Sequence, residues 1–281
     1  MVMAGPLVTI ITATYNDAKY IHLPIDSVLS QPYENFEMII VDDGTTDPES
    51  QKILEKIQHP KITILHQENR GLPAARNAGI RAGKGKYILP VDADDKITSI
   101  CLARSVEILE ANPDVAMVYG NIKTFGDEDR VVPTGAFNTY RLLFNNYLAV
   151  GSMFRRTAWE QVGGYTEQMI GFEDWEFWIK LVEKGWKFQK VDEILFMYHK
   201  HGVSFTNRSR PIYKTIVAQI CSLHPHLYTE ESVKRLKREN QITWFEDLVY
   251  QVPFPIRHGL GRSWLRSLMP ILQRLGLYRD L

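Results

Sequence analysis

Short apolar runs alternate with segments of helical pattern along the first 120 residues of the chain. Five of these runs have the length of strands, and the first two fit strands that are buried within a sheet. They span residues 7–11, 36–41, 62–65, 87–91 and 115–119. Helices are predicted between them, at residues 20–29, 48–57, 73–81 and 99–110. This alternation predicts a parallel sheet with helices on both of its faces.

The second half of the chain follows a different pattern. Residues 121–170 hold turns, short strands and aromatic side chains, whereas residues 172–184 show the clearest helical spacing and end before Gly185. Beyond residue 208 the pattern is helical, and residues 252–281 combine spaced leucines with five arginines and one acidic residue. This last segment fits a helix at the inner membrane face or against a second copy, and it fits a helix packed on its own domain somewhat better.

Composition and charge narrow the function classes. The 281 residues are 44% hydrophobic, enough for a full core, and 33 basic residues balance 33 acidic ones. A protein that binds nucleic acid would show a basic excess, so nucleic acid is not an expected partner. Two cysteines, an N-terminus patterned as a strand and no apolar run of about 18 residues predict a cytoplasmic chain without a membrane span.

Polar clusters directly follow three of the predicted strands, at residues 12–16, 42–47 and 92–95. In open parallel sheets, ligands bind beyond the carboxyl ends of the strands. We therefore expect these three clusters to meet at one edge of the sheet and to form a binding site there.

The third cluster places Asp92, Asp94 and Asp95 within four positions. Carboxylates so close together repel one another, and a hard divalent cation such as Mg²⁺ or Mn²⁺ relieves that repulsion because it prefers oxygen ligands. Of two carboxylates at a strand end, one can bind a metal while the other accepts a hydrogen bond from a ribose hydroxyl or a water. The alternative is a solvated turn before the next helix, and Asp95 fits a local cap or a supporting residue.

The second cluster contains two aspartates with different expected roles. Asp43 can accept a hydrogen bond from a base or a ribose, whereas Asp47 is a good N-cap for a helix that begins at Pro48. In the next helix Arg76 can pair with phosphate or stack on a base, and Arg70 fits an ordinary surface position better.

The helix at residues 172–184 opens with Glu173, Asp174 and Glu176. Acidic residues in a first turn suit the helix dipole whatever their function. Glu176 has Lys180 four positions on and is expected to form a surface pair with it, while the other two have no such partner. A carboxylate at a helix start stays ionised at neutral pH, as a general base must.

Six segments stand in a fixed order: TIITATYN, VDDGTTD, GLPAARNAGI, LPVDADD, GFEDWEFW and YHKHGVS. Together they resemble the family 2 glycosyltransferases over roughly residues 7–205. The resemblance implies the α/β GT-A fold, with a Rossmann-like, mostly parallel sheet, flanking helices and a helical C-terminal extension. It divides the chain into a transferase domain at 1–205 and an extension at 206–281, with a nucleotide-binding half at 1–120 and an acceptor half at 121–205.

The resemblance also implies a reaction. A sugar moves from a nucleotide diphosphate sugar, with UDP favoured and dTDP and GDP open, to a hydroxyl of a glycan or lipid-linked acceptor, with inversion at the anomeric carbon. Asp174 would be the general base of this transfer. The divalent metal, Mn²⁺ or Mg²⁺, would be held by Asp94, Asp92 and His201.

By the same resemblance, six residues would contact the nucleotide sugar: Ala13, Tyr15, Asp43, Arg76, Asp92 and Ala93. Asp43 would recognise the base with help from Tyr15 and Arg76. One departure is His199, which stands where the family commonly has an arginine.

Two other functions remain alternatives. A sugar-1-phosphate nucleotidylyltransferase also has a nucleotide-binding α/β domain and uses Mg²⁺, but it would need a glycine-rich loop after the first strand, and TATYNDAKY holds no glycine. The second alternative is a degenerate transferase that acts as a sugar-binding or scaffold subunit. The acidic residues of the motifs are all present, which argues against this alternative.

Overall fold

A computed structural model describes residues 5–202 and 210–251 of the chain. Its strands are β1 (Val8–Thr14), β2 (Phe36–Asp42), β3 (Ile62–His66), β4 (Tyr87–Pro90), β5 (Lys96–Ile97), β6 (Val115–Gly126), β7 (Arg130–Val132), β8 (Met153–Arg155) and β9 (Lys187–Lys200). Within the described residues, these nine strands form one sheet in the order β3-β2-β1-β4-β8-β6-β9-β5, with β7 paired beside β6.

The helices flank this sheet and follow it along the chain. They are α1 (His22–Leu29), α2 (Pro48–Glu55), α3 (Leu72–Ala82), α4 (Cys101–Ala111), α5 (Thr139–Phe144), α6 (Arg156–Gln161), α7 (Glu173–Glu183), α8 (Tyr213–Leu223), α9 (Glu230–Glu239) and α10 (Trp244–Gln251). All five predicted strands and all four predicted helices of the first half are present. The largest difference is β6, which was expected to end at residue 119 and continues to Gly126.

Strand directions confirm a mostly parallel α/β sheet. β1, β2, β3 and β4 are parallel neighbours. β8 is antiparallel to both β4 and β6, so β6 runs in the same direction as the first four strands, and β9 is parallel to β6. β8 is only three residues long, and so short a segment gives little periodicity from which its insertion could be predicted.

Both faces of the sheet are covered by apolar clusters, because neighbouring residues of a strand point to opposite faces. Along β1, Ile10 packs in one cluster and Ile11 in the other. The cluster that contains Ile11 also holds Trp175 and Trp178 of α7 and Tyr213 of α8. The described part of the predicted C-terminal extension therefore shares its core with the acceptor half.

The helical pattern beyond residue 208 is confirmed for residues 213–223, 230–239 and 244–251. The arginine-rich segment at 252–281 lies outside the described residues, as does the end of the sixth motif after Gly202. In the part of the chain that is described, no helix is both long enough and apolar enough to cross a membrane.

Candidate active site

A cleft of about 430 Å³ opens beyond the carboxyl ends of β1 and β4. Eight of the nine predicted site residues line it: Ala13, Tyr15, Arg76, Asp92, Ala93, Asp94, Asp174 and His201. They come from the end of β1, from α3, from the loop after β4, from the start of α7 and from the segment after β9. The sheet topology thus brings together residues that lie far apart in the sequence.

Asp43 is the ninth residue, and its carboxylate is engaged inside the protein. It is 3% exposed and accepts hydrogen bonds from Gln67 Nε2 at 2.7 Å, from the Arg70 backbone N–H at 2.9 Å and from the Gly71 backbone N–H at 2.8 Å. These bonds fix the loop that leads into α3. The side chain of Arg70 is exposed, as expected, and pairs with Glu167.

Arg76 is buried and contacts two carboxylates from different segments of the chain. Its Nη2 lies 2.6 Å from Asp92 Oδ1, and its Nη1 contacts Glu173 Oε1. Burial acts to lower the pKa of Arg76, but the charges of Asp92 and Glu173 outweigh burial, so the pKa is raised and the guanidinium stays charged. Glu173 has no basic residue four positions on in its helix, and its partner is instead Arg76, 97 positions away in the sequence.

The acidic cluster after β4 is divided among different partners. Asp94 Oδ2 lies 2.8 Å from His201 Nε2, and burial raises the pKa of Asp94 while His201 opposes that rise. Asp95 is fully buried and accepts a hydrogen bond from the His199 backbone N–H at 2.8 Å. It does not cap the next helix, whose N-cap is Ile100, so Asp95 supports the end of β9 instead.

Asp174 lies in the first turn of α7 and lines the same cleft as the end of β1. Phe172 precedes this helix in the left-handed region, at φ 54°, a conformation that costs a non-glycine residue about 1–2 kcal/mol. Asn146 Nδ2 lies 3.1 Å from both carboxylate oxygens of Asp174. Burial and the nearby charge of Glu173 raise the pKa of Asp174 to about 6.

The predicted surface pair of Glu176 with Lys180 is wrong. Glu176 is only 1% exposed, and its Oε1 lies 3.3 Å from Nε2 of His224. Lys180 instead donates to the Gly164 carbonyl at 2.6 Å. The face of α7 that carries Glu176 is covered by the helices of the C-terminal part, which the spacing within one helix could not reveal.

Asn146 is the main residue of the cleft that the sequence did not indicate. It follows α5 in a segment without a recognisable motif, so only the tertiary contact with Asp174 identifies it. An apolar wall also lines the cleft. It is formed by Ile122, Leu148, Ala149, Val150, Phe172 and Phe196.

Two of the three predicted metal ligands lie side by side. Asp94 and His201 offer a carboxylate oxygen and an imidazole nitrogen side by side. Among the residues with described positions, no group of three or more His, Cys, Asp or Glu side chains is arranged to hold a metal ion.

The fold and the cleft are those of a GT-A glycosyltransferase. A model of glycosyl transferase family 2 matches residues 9–166, and a model described as the N-terminal domain of galactosyltransferase matches residues 134–201. Because the first match covers more than half of the chain, the protein belongs to glycosyl transferase family 2.

Curated relatives are similar over most of this chain. A glycosyltransferase of Methanocaldococcus jannaschii is 28% identical over 207 residues, which are 70% of this chain and 71% of that protein. Chondroitin synthase of Escherichia coli is 25% identical over 250 residues, which are 85% of this chain but only 36% of that protein. The chain thus spans about a third of that larger synthase.

Solved structures share the fold at low sequence identity. The 1–349 fragment of TarS from S. aureus, in complex with UDP-GlcNAc, matches with a TM-score of 0.61 and 16% identity, over 89% of this chain and 77% of that one. The mannosyltransferase PcManGT from Pyrobaculum calidifontis, in complex with GDP-Man and Mn²⁺, matches with a TM-score of 0.59 and 19% identity, over 99% of this chain and 82% of that one.

Proposed function

We propose that this transferase moves a sugar from a nucleotide diphosphate sugar to a hydroxyl of a glycan or lipid-linked acceptor, with inversion at the anomeric carbon. One observation carries the proposal: a single cleft is lined by Asp92 and Asp94, which follow β4, and by Asp174, in the first turn of α7. A cation site for the donor diphosphate and a separate base for the acceptor hydroxyl, brought together in one cleft, are what an inverting transfer needs.

The nucleotide would lie across the ends of β1 and β4. Tyr15 is 48% exposed at this end of the cleft, so its ring is free to stack on a base. Ala13 and Ala93 are small and leave room beside it. UDP is the favoured nucleotide, and the TarS and PcManGT complexes, with UDP-GlcNAc and GDP-Man, support a nucleotide sugar as the donor.

The residues of the cleft fit a divalent metal, Mn²⁺ or Mg²⁺. Asp94 and His201 would hold it with Asp92 close by, and a carboxylate oxygen with an imidazole nitrogen suits Mn²⁺ in particular. When bound, the cation would neutralise charge on the departing diphosphate. Because the protein offers few ligands, diphosphate oxygens would complete the site, and we expect weak metal binding without nucleotide.

Asp174 would act as the general base. As the acceptor oxygen forms its bond to the anomeric carbon, the bond from that carbon to the diphosphate breaks, and the acceptor proton passes to Asp174. A pKa of about 6 leaves this carboxylate ionised at neutral pH yet basic enough to take the proton. Asn146 would orient it by contacting both of its oxygens.

The acceptor class rests on weaker observations. The apolar wall of the cleft suits the carbon face of a sugar, and the likeness to chondroitin synthase supports a role in polysaccharide assembly. A cytoplasmic location, with contact to a membrane or a second copy through the C-terminal segment, stays a prediction.

The decisive experiment compares Asp174→Asn with a control, Asp192→Asn, whose side chain is 95% exposed. Nucleotide release from UDP-GlcNAc, UDP-glucose, UDP-galactose and GDP-mannose is measured with Mn²⁺, and binding of the preferred donor is followed by calorimetry. We expect Asp174→Asn to bind the donor normally and to lose turnover, while the control keeps both. Near-normal turnover in Asp174→Asn would refute the assignment. Donor binding without turnover in the wild type would favour the sugar-binding alternative.

A further inference from the structure

A histidine outside the cleft is buried between two glutamates of the helix that carries Asp174. His224 directly follows α8 and is 3% exposed. Its Nε2 lies 3.3 Å from Glu176 Oε1, and its Nδ1 lies 2.8 Å from Glu183 Oε1. One imidazole therefore contacts both the first and the last turn of α7.

The two glutamates need a cation between them. Glu176 and Glu183 are seven positions apart, so they lie on the same face of α7, about two turns from each other. Glu176 is 1% exposed, and the other oxygen of its carboxylate, Oε2, is buried without a hydrogen-bond partner in the described part of the chain. Glu183 is 18% exposed, and the two carboxylates repel unless positive charge lies near them; Lys180, between them in α7, interacts with both, and the imidazole lies directly between their oxygens.

His224 can supply that charge. Burial acts to lower its pKa, but its contacts with Glu176 and Glu183 outweigh burial, so the pKa is raised above 6.5. His226 also faces Glu183, at 3.0 Å, but its side chain is 67% exposed. Tyr228 lies near Glu183 too and stays neutral, because burial raises its pKa.

The other end of α8 contacts α7 beside the base. The ring of Tyr213 lies 6.0 Å from that of Phe172 and 6.4 Å from that of Trp175, measured between centroids. These two residues flank the dipeptide Glu173-Asp174 in the sequence. Helix α8 is thus tied to α7 at both ends, by aromatic packing at its start and by an ion pair at its end.

We infer that His224 is a positioning residue: it holds α7 in the register that places Asp174 in the cleft. Glu176 lies two residues after Asp174 in the same turn of the helix, so a shift of Glu176 moves the base with it. The donor-binding segments at the ends of β1 and β4 make none of these contacts with α8, although Arg76 of α3 meets the start of α7 through Glu173. We therefore expect loss of His224 to act mainly on the catalytic step and to change the donor Kd little.

The test compares His224→Gln with His226→Gln, which removes a histidine from the same Glu183 at an exposed position. The full-length variants are assayed with the donor that the wild type turns over fastest, and calorimetry gives the donor Kd and the number of sites per chain. We expect His224→Gln to lower kcat by about 10- to 100-fold, since a displacement of 1 Å can cost that much. Its Kd and one site per chain should stay at the wild-type values, and His226→Gln should match the wild type.

Two results would overturn the inference. One is a kcat for His224→Gln within twofold of that for His226→Gln. The other is a loss of donor sites in proportion to the loss of turnover, which would show that His224 only keeps the chain folded.

If His224→Gln does not fold, the wild type at rising pH provides the measurement. The imidazole is charged below its raised pKa, so kcat should fall as pH rises through that pKa while the donor Kd stays constant. A kcat that stays flat to pH 9 would contradict the inference. The inference rests on Asp174 being the base, and the two hypotheses fail in different ways. If Asp174→Asn keeps turnover, the proposed function fails. If only His224→Gln keeps turnover, the positioning role fails.

Discussion

Arg76 Nη2 lies 2.6 Å from Asp92 Oδ1, and this salt bridge places one buried cation against the acidic cluster that follows β4. The same guanidinium contacts Glu173, the residue before the proposed base. A planar fork of donors can serve two carboxylates at once, which a lysine ammonium does less well. The charge on Asp92 and the start of α7 are therefore coupled through a single side chain.

Replacing Arg76 should be costly to stability. Arg76→Met leaves Glu173 buried without its cation, and removing one partner of a buried ion pair typically costs about 3–5 kcal/mol. Arg76→Lys should lose less, because it keeps the charge. Chemical denaturation measures both, with Arg70→Met as the control, since the side chain of Arg70 is 56% exposed. Equal stabilities for Arg76→Met and Arg70→Met would disprove the buried link.

The pH dependence of turnover should show the ionisation of Asp174. A general base works only when ionised, and its pKa is raised to about 6. We expect kcat/KM to fall about tenfold per pH unit below that pH, and to be level above it until His224 loses its charge at higher pH. A profile that stays level down to pH 4.5 would exclude Asp174 as the base.

The same raised pKa predicts a gain in stability for Asp174→Asn. Burial penalises the charged form, so ionised Asp174 makes the fold less stable as pH rises from its unfolded pKa, near 4, through about 6. The half-buried amide carries no such penalty. We expect the variant to be more stable at pH 7.5 by on the order of 1 kcal/mol, and equally stable at pH 3.5 if both remain folded. Urea denaturation at the two pH values checks the difference.

Asn146 should tune the base. Its amide contacts both oxygens of Asp174 and acts to lower the pKa of that carboxyl. Asn146→Ala should move the acid limb of the pH profile to higher pH and reduce kcat at neutral pH. Asn146→Asp adds a like charge and should move the limb further in the same direction. An unchanged limb in both variants would mean that Asn146 has no part in positioning or tuning the base.

Metal binding should depend on the nucleotide. Calorimetry of Mn²⁺ with the wild type should show weak binding that strengthens when UDP is present. Asp94→Asn should abolish that gain, and His201→Gln should weaken it about 10- to 100-fold. His59→Gln, at an exposed loop position, is the matched control. An equal gain in Asp94→Asn and in the control would place the metal elsewhere.

The sequence predicted the first half of the fold well, because most of its strands are apolar runs buried in the sheet and its helices have a clear period. It also predicted that most of the candidate site residues would lie together, because strand-end residues of a parallel sheet meet at one edge. Six motifs in order were enough to indicate the family, which the family-model match confirmed.

What the sequence missed depends on contacts between distant segments. Glu176 has the spacing of a surface pair with Lys180, yet the fold buries it against His224, 48 positions away. Asn146 belongs to no motif, and Arg76 contacts Glu173 only because the fold brings α3 and α7 together. Periodicity indicates which face of a helix or strand is apolar, but it does not indicate which segment packs against that face. The partners of the buried charges around Asp174 were therefore decided by tertiary packing alone.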